Sequence, residues 1–128
     1  MTACSVLGAA IPQLYVADID RACRWYAEAL GFAEVFRQGD PACYAQVARD
    51  AARLNLRRVE APLVAPARVA AEEYLAATIL LDDIARFYAG CRATRVTLHR
   101  ALTGQAWGAL DFVVRDADGN LLLFTGPG

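Results

Sequence analysis

The chain has 128 residues, 57% of them hydrophobic and 21% charged, with a formal net charge of −1. That length suits one compact domain, and the apolar content provides for a core and excludes intrinsic disorder. The near-neutral balance excludes the overall basic character of a nucleic-acid binder, so no nucleic-acid partner is expected.

No basic leader or long apolar run opens the sequence, and no window approaches the ~20 apolar residues of a membrane span. We therefore expect no membrane partner and a cytoplasmic location. The small apolar stretch Ala3 to Ala10 suits crossing onto a second copy. Ile11-Pro12-Gln13-Leu14-Tyr15-Val16 then reads as a strand ending at Asp18. Ile19, Ala22, Cys23, Tyr26 and Leu30 follow at helical spacing, with Asp18 or Asp20 to cap the helix and Gly31 to end it. Tyr44 to Asp50 leads through Ala51-Ala52 into Arg53-Leu54-Asn55-Leu56-Arg57, a strand, turn and strand. The Pro- and Ala-rich stretch from Ala61 to Ala71 reads as a linker.

Beyond it the order repeats. Tyr74 to Leu81 reads as a strand ending at Asp82-Asp83, and Ile84, Phe87, Tyr88 and Cys91 restore the helical spacing. Trp107-Gly108 precedes a final strand pair around Asp118-Gly119-Asn120, where Gly accepts positive φ and Asp and Asn bond back to nearby backbone. The sequence thus predicts an α+β fold of two βαβββ modules, at about residues 10–60 and 72–126, joined by a linker at about 61–71. Eight main strands and two main helices are expected, and each half is too small to bury a core alone. Cys4, Cys23, Cys43 and Cys91 form no Cys-x-x-Cys pair and read as buried reduced thiols without a catalytic role.

Pro12, Asp18, Tyr26 and Leu30-Gly31-Phe32 early in the chain, with Trp107-Gly108 and Arg115-Asp116-Ala117-Asp118-Gly119-Asn120 late, resemble the vicinal oxygen chelate superfamily. The match is to its glyoxalase/bleomycin-resistance/dioxygenase group, closest to the bleomycin-resistance-type binding proteins, and runs from about Ala10 to Thr125. The resemblance implies a cup of two curved sheets and a homodimer. In the enzymes of this group a divalent metal is held by a His or Gln on the first strand of each half and a Glu near the end of the last. Ile11, Asn55, Ala76 and Leu123 stand at those positions here, so neither metal, cofactor nor catalytic residue is expected. A shift of two residues in register presents Gln13 and Thr78 instead.

Strand alternation sends Arg53, Asn55 and Arg57 towards the cavity with Ile11, Gln13, Tyr15, Ala76, Thr78, Leu80, Leu121 and Leu123, an apolar site with a few polar groups. Phe36, Tyr44, Trp107 and Phe112 border the cup and can stack on a flat ligand. The expected ligand-binding set is Gln13, Tyr44, Arg53, Asn55, Arg57, Trp107 and Phe112. His99 lies away from the ligand positions, and no close His–carboxylate pairing is evident in the sequence. The bleomycin-resistance proteins offer acidic grooves to a cationic drug. Arg53 and Arg57, unless neutralised by Asp40, Glu60, Glu72, Glu73 or Asp111, favour an anionic or electron-rich ligand instead. The expectation is a metal-free small-molecule-binding protein that sequesters an aromatic or anionic ligand in a dimeric cup. The alternative is a lyase, isomerase or dioxygenase of the same superfamily with non-standard ligands.

Overall fold

The computed structural model describes residues 4–128. The first half runs β1 (Gln13–Val16), α1 (Ile19–Leu30), β2 (Ala33–Gln38), β3 (Tyr44–Arg49) and β4 (Ala52–Arg58). After α2 (Pro66–Glu72) the second half repeats it with β5 (Leu75–Leu80), α3 (Ile84–Ala93), β6 (Thr97–Gly104), β7 (Ala109–Arg115) and β8 (Leu121–Pro127). The first sheet has the order β1-β4-β3-β2 and the second β5-β8-β7-β6, so the halves share one topology. In each, the opening strand lies parallel to the last and the other pairings are antiparallel. The chain is a pair of βαβββ modules.

Local chemistry sets the boundaries. The Asp18 side chain accepts the Arg21 backbone N–H at 2.9 Å at the start of α1, and Gly31 ends the helix at φ 72°. Asp83 caps α3 in the same way, accepting from the Arg86 N–H at 3.2 Å. Between the modules, the stretch expected as a linker holds a short helix that the sequence reading did not anticipate. Pro66 sits at its start, where a missing N–H costs nothing, but Ala65 provides no side-chain cap and no residue of α2 is buried. Residues 4–10 are exposed and carry no regular structure; Ala3 lies outside the described residues.

One apolar cluster spans both modules, as their size demands. Leu14, Val16, Ala45, Val47, Leu54 and Leu56 of the first sheet meet Ile19, Ala22, Cys23, Tyr26 and Leu30 of α1. Phe112, Val114, Leu122 and Phe124 form the equivalent face of the second sheet, with Phe87 and Tyr88 of α3 against them. Burying each such side chain contributes about 1.5–3 kcal/mol.

Polar contacts lock the modules together at both ends. Asp118 accepts from the Ala17 N–H at 2.9 Å and from Arg21 at 2.8 Å, while the Asn120 amide donates to the Tyr15 carbonyl at 3.0 Å. On the opposite side Arg49 donates to the Leu30 carbonyl at 2.8 Å and lies 5.1 Å from the Phe87 ring centroid. Between these sits a buried pair, Tyr26 Oη donating to Asp116 Oδ2 at 2.7 Å. Asp116 also accepts the backbone N–H groups of Asp118 and Asn120 and the Asn120 amide, each at 2.9 Å. Burial pushes the Asp116 carboxyl above its ordinary value, outweighing these hydrogen bonds.

Candidate functional site

The helices cover one face of each sheet and leave the other open. On the first sheet, pairing register aligns the open face in two rows. Gln13, Asn55, Gln46 and Phe36 form one across β1, β4, β3 and β2; Tyr15, Arg57, Tyr44 and Gln38 form the next. Tyr15 is 38% exposed and Phe36 44%, values high for aromatic side chains in a sheet. Phe36 and Tyr44 stack with ring centroids 6.1 Å apart and planes 21° from parallel, presenting a flat aromatic surface beside the polar row.

The polar groups of this face are joined into a chain. Arg53 Nη1 donates to Gln46 Oε1 at 2.7 Å, and Gln46 Nε2 donates to Asn55 Oδ1 at 2.9 Å. Tyr44 Oη donates to Gln13 Oε1 at 3.0 Å. Gln46 and Asn55 are each only 8% exposed, because arginine and tyrosine side chains flank them, while Arg53 and Arg57 are exposed. Among the described residues, neither arginine has a carboxylate within ion-pair distance.

The open face of the second sheet differs in kind. Its rows are Thr78, Leu123, Val113 and Arg100, then Leu80, Thr125, Asp111 and Thr103. Arg100 bridges Asp111 at 2.5 Å and Glu73 at 3.3 Å, and Gln105 donates to Asp111 at 3.0 Å. Burial pushes the Asp111 carboxyl up, but the hydrogen bonds from Arg100 and Gln105 win and hold it below its ordinary value. The Asp111 hydrogen bond in turn raises Arg100. Glu73 precedes β5 at one edge of the sheet and Arg100 lies on β6 at the other, so this cluster spans the face and saturates its own charges. It also contains the one histidine: His99 Nε2 lies 3.8 Å from Glu73 Oε2, a His–carboxylate pairing that the sequence did not disclose.

Of the seven expected ligand-binding residues, the structure brings Gln13, Tyr44, Arg53, Asn55 and Arg57 onto one face. Phe112 is not there. It is fully buried on the helix side, stacked on Phe124 at 5.3 Å and edge-on to Tyr88 at 4.9 Å. Alternation along β7 turns Asp111 and Val113 to the open face, and Phe112 between them inward. Trp107 occupies the β6–β7 hairpin tip, 75% exposed and away from the first-sheet cluster. On the second sheet Leu123 lies half-buried on the open face while Leu121 and Val113 are fully buried, and the open face of the first sheet is polar. Gln46, its central residue, was missed, although its alternation with Tyr44 along β3 marks the same face. Glu73 and Asp111, two of the five carboxylates that would have neutralised Arg53 and Arg57, serve Arg100 instead.

Register also moves the expected metal positions. Gln13, not Ile11, stands opposite Asn55, and Thr78, not Ala76, stands opposite Leu123, with one register shift in β5 between Leu75 and Ala77. With amides at two positions, a hydroxyl at the third and a leucine at the fourth, the set offers a divalent transition metal no imidazole, thiolate or carboxylate ligand. Among the described residues no three His, Cys, Asp or Glu side chains gather as metal ligands. No helix among them is long and apolar enough to cross a membrane.

The family model described as Glyoxalase/Bleomycin resistance protein/Dioxygenase superfamily matches residues 8–124. Among solved structures, a bleomycin-binding protein complexed with bleomycin is 25% identical with a TM-score of 0.76, over 95% of this chain and 100% of that one. The bleomycin-binding protein from bleomycin-producing Streptomyces verticillus, complexed with copper(II)-bleomycin, is 24% identical with a TM-score of 0.71, over 98% and 100%. A glyoxalase-related enzyme from Clostridium phytofermentans is 18% identical with a TM-score of 0.75, over 97% and 98%. The fold therefore accommodates binding proteins and enzymes alike. No curated protein matches the chain in sequence.

Proposed function

We propose that this chain, which belongs to the glyoxalase/bleomycin resistance protein/dioxygenase superfamily, is a metal-free binding protein that sequesters an aromatic or anionic small molecule as a homodimer. The observation that carries this reading is the composition of the first open face. Amides, two arginines without carboxylate partners and a stacked Phe36–Tyr44 pair offer hydrogen bonds and a flat apolar surface without a nucleophile or base. The four register-equivalent positions, Gln13, Asn55, Thr78 and Leu123, support binding over metal chemistry for the reason given above. A cationic ligand like the one an acidic groove holds is disfavoured by Arg53 and Arg57.

Dimerisation is supported by the apolar groups left on the surface. Val35, Phe36, Leu75 and Leu80 are 47%, 44%, 41% and 80% exposed, and a second copy covering the open sheets would bury them. Four free thiols agree with a cytoplasmic setting. Native mass spectrometry of protein purified without added metal tests the proposal. The expected result is a dimer that carries an organic ligand, released chemically unchanged, and no stoichiometric metal. A monomer, or a chain loaded with zinc, nickel, iron or manganese, overturns it.

A further inference from the structure

We propose that the first open face presents the Asn55 NH₂ and the Arg57 guanidinium to its ligand as a pair of donors, that Arg53 sets the Asn55 orientation through Gln46, and that the ligand is a planar aromatic carboxylate. This rests on the binding reading above and narrows it to one ligand class.

A guanidinium has five N–H donors and no acceptor. At 2.7 Å from Arg53 Nη1, the Gln46 side chain must therefore turn its oxygen to Arg53. Its NH₂ group then faces Asn55 at 2.9 Å, so Asn55 must turn its own oxygen inward to accept. The orientation of both amides follows from the chemistry of Arg53 and needs no other assignment. The Asn55 NH₂ is what remains. It has no partner among the described residues, and no buried side-chain nitrogen or oxygen among them lacks one, so this group opens onto the face.

Arg57 stands two residues further along β4, about 7 Å away along an extended strand. Its guanidinium is exposed and has no carboxylate partner among the described residues. The three amide oxygens of the cluster each already accept one hydrogen bond: Gln46 Oε1 from Arg53, Asn55 Oδ1 from Gln46, and Gln13 Oε1 from Tyr44. A carboxylate fits this array because its two oxygens accept from Asn55 and Arg57 together, and an attached ring reaches the Phe36–Tyr44 stack on the neighbouring strands. A primary amide offers one acceptor and sets its own N–H groups against a donor. An ammonium offers none and meets the charge of Arg57. Arg53 is thus a positioning residue, acting through Gln46.

Isothermal titration of the full chain with 2-naphthoate, 2-naphthamide and 2-naphthylmethylammonium tests the selectivity. The carboxylate is expected to bind at least about tenfold more tightly than the amide, and the ammonium not to bind. Gln46→Glu keeps Arg53 but leaves only acceptors at position 46, which compels Asn55 to turn its NH₂ inward and expose its oxygen. The carboxylate-to-amide affinity ratio should then fall by about tenfold or more. In the unaltered protein, side-chain amide NMR should show the Asn55 NH₂ shifting with 2-naphthoate while the hydrogen-bonded Gln46 NH₂ stays in place, a readout independent of the variant's folding. Equal or better binding of the amide or ammonium, an unchanged ratio in a folded Gln46→Glu protein, or naphthoate binding without an Asn55 shift overturns the Asn55–Arg57 donor pair and leaves the binding function standing. Failure of all three probes to bind overturns both.

Discussion

Tyr26→Phe removes one oxygen from the junction of the modules. Tyr26 is 1% exposed and Asp116 6%, and the hydroxyl donates to the carboxylate at 2.7 Å. Phenylalanine keeps the ring contacts with Trp25 and Phe32 at 4.9 and 6.2 Å, so the loss is confined to the hydrogen bond. A bond to a buried charged acceptor contributes about 1.5–3 kcal/mol, and water has no ready path to replace it. We expect a loss of about 2–3 kcal/mol at pH 7, read as a lower urea midpoint at unchanged slope. The effect has a pH signature. Burial already raises the folded-state carboxyl of Asp116 above the ordinary 3.8, so its contribution is most favourable below that value and declines as pH rises through the folded value. The Tyr26 hydroxyl opposes that rise by favouring the ionised form; without it the folded value climbs further. The cost of Tyr26→Phe should therefore be greater at pH 7 than at pH 4 to 5. A cost under about 0.5 kcal/mol, or one that grows on acidification, would refute the reasoning.

Two further outcomes separate core from surface. Phe112→Ala should cost about 3–5 kcal/mol in urea unfolding, since the ring packs among Phe87, Tyr88 and Phe124, whereas Trp107→Ala should stay within about 0.5 kcal/mol. Similar costs for the two would mean that β7 is read in the wrong register. Burial, reinforced by a hydrogen bond to Glu34, pushes the Cys23 thiol to about 11, and burial alone brings Cys91 to about 11, while Cys4 and Cys43 are exposed. A thiol-reactive disulfide at pH 7.5 should therefore modify two cysteines of the folded chain at once and the other two only on unfolding. Four equivalent reactions would contradict the packing of both helices.

The sequence disclosed what local chemistry specifies. Asp18, Gly31, Asp83 and Gly119 set helix ends and a turn through contacts within a few residues, so the two modules could be read directly. The start of α2 was hidden because Ala65 gives no capping signal. Phe112 was misplaced because Ala109-Leu110-Asp111-Phe112-Val113-Val114 is apolar on both alternations, and only Asp111 marks which side faces out. The ion cluster of Glu73, His99, Arg100 and Asp111 was illegible for another reason: it forms across a curved sheet, between its two edges, and nothing in the spacing reports that curvature.

Duplication accounts for the way the proposed binding residues fall in one module. The repeat places Gln13 and Thr78 at one position, and Asn55 and Leu123 at the next, so a single backbone geometry carries donors in one half and apolar groups in the other. If both faces kept free arginines, a second copy laid across them would bring like charges together at a cost. Here Arg100 is neutralised by Asp111 and Glu73, which leaves the second face able to cover the first without repelling Arg53 and Arg57. In the proposed dimer the arginines of the first face would remain for a ligand, and Leu123 and Leu80 would supply an apolar lid. The asymmetry of the two halves would thus let one duplicated scaffold form both the floor of the proposed site and its cover.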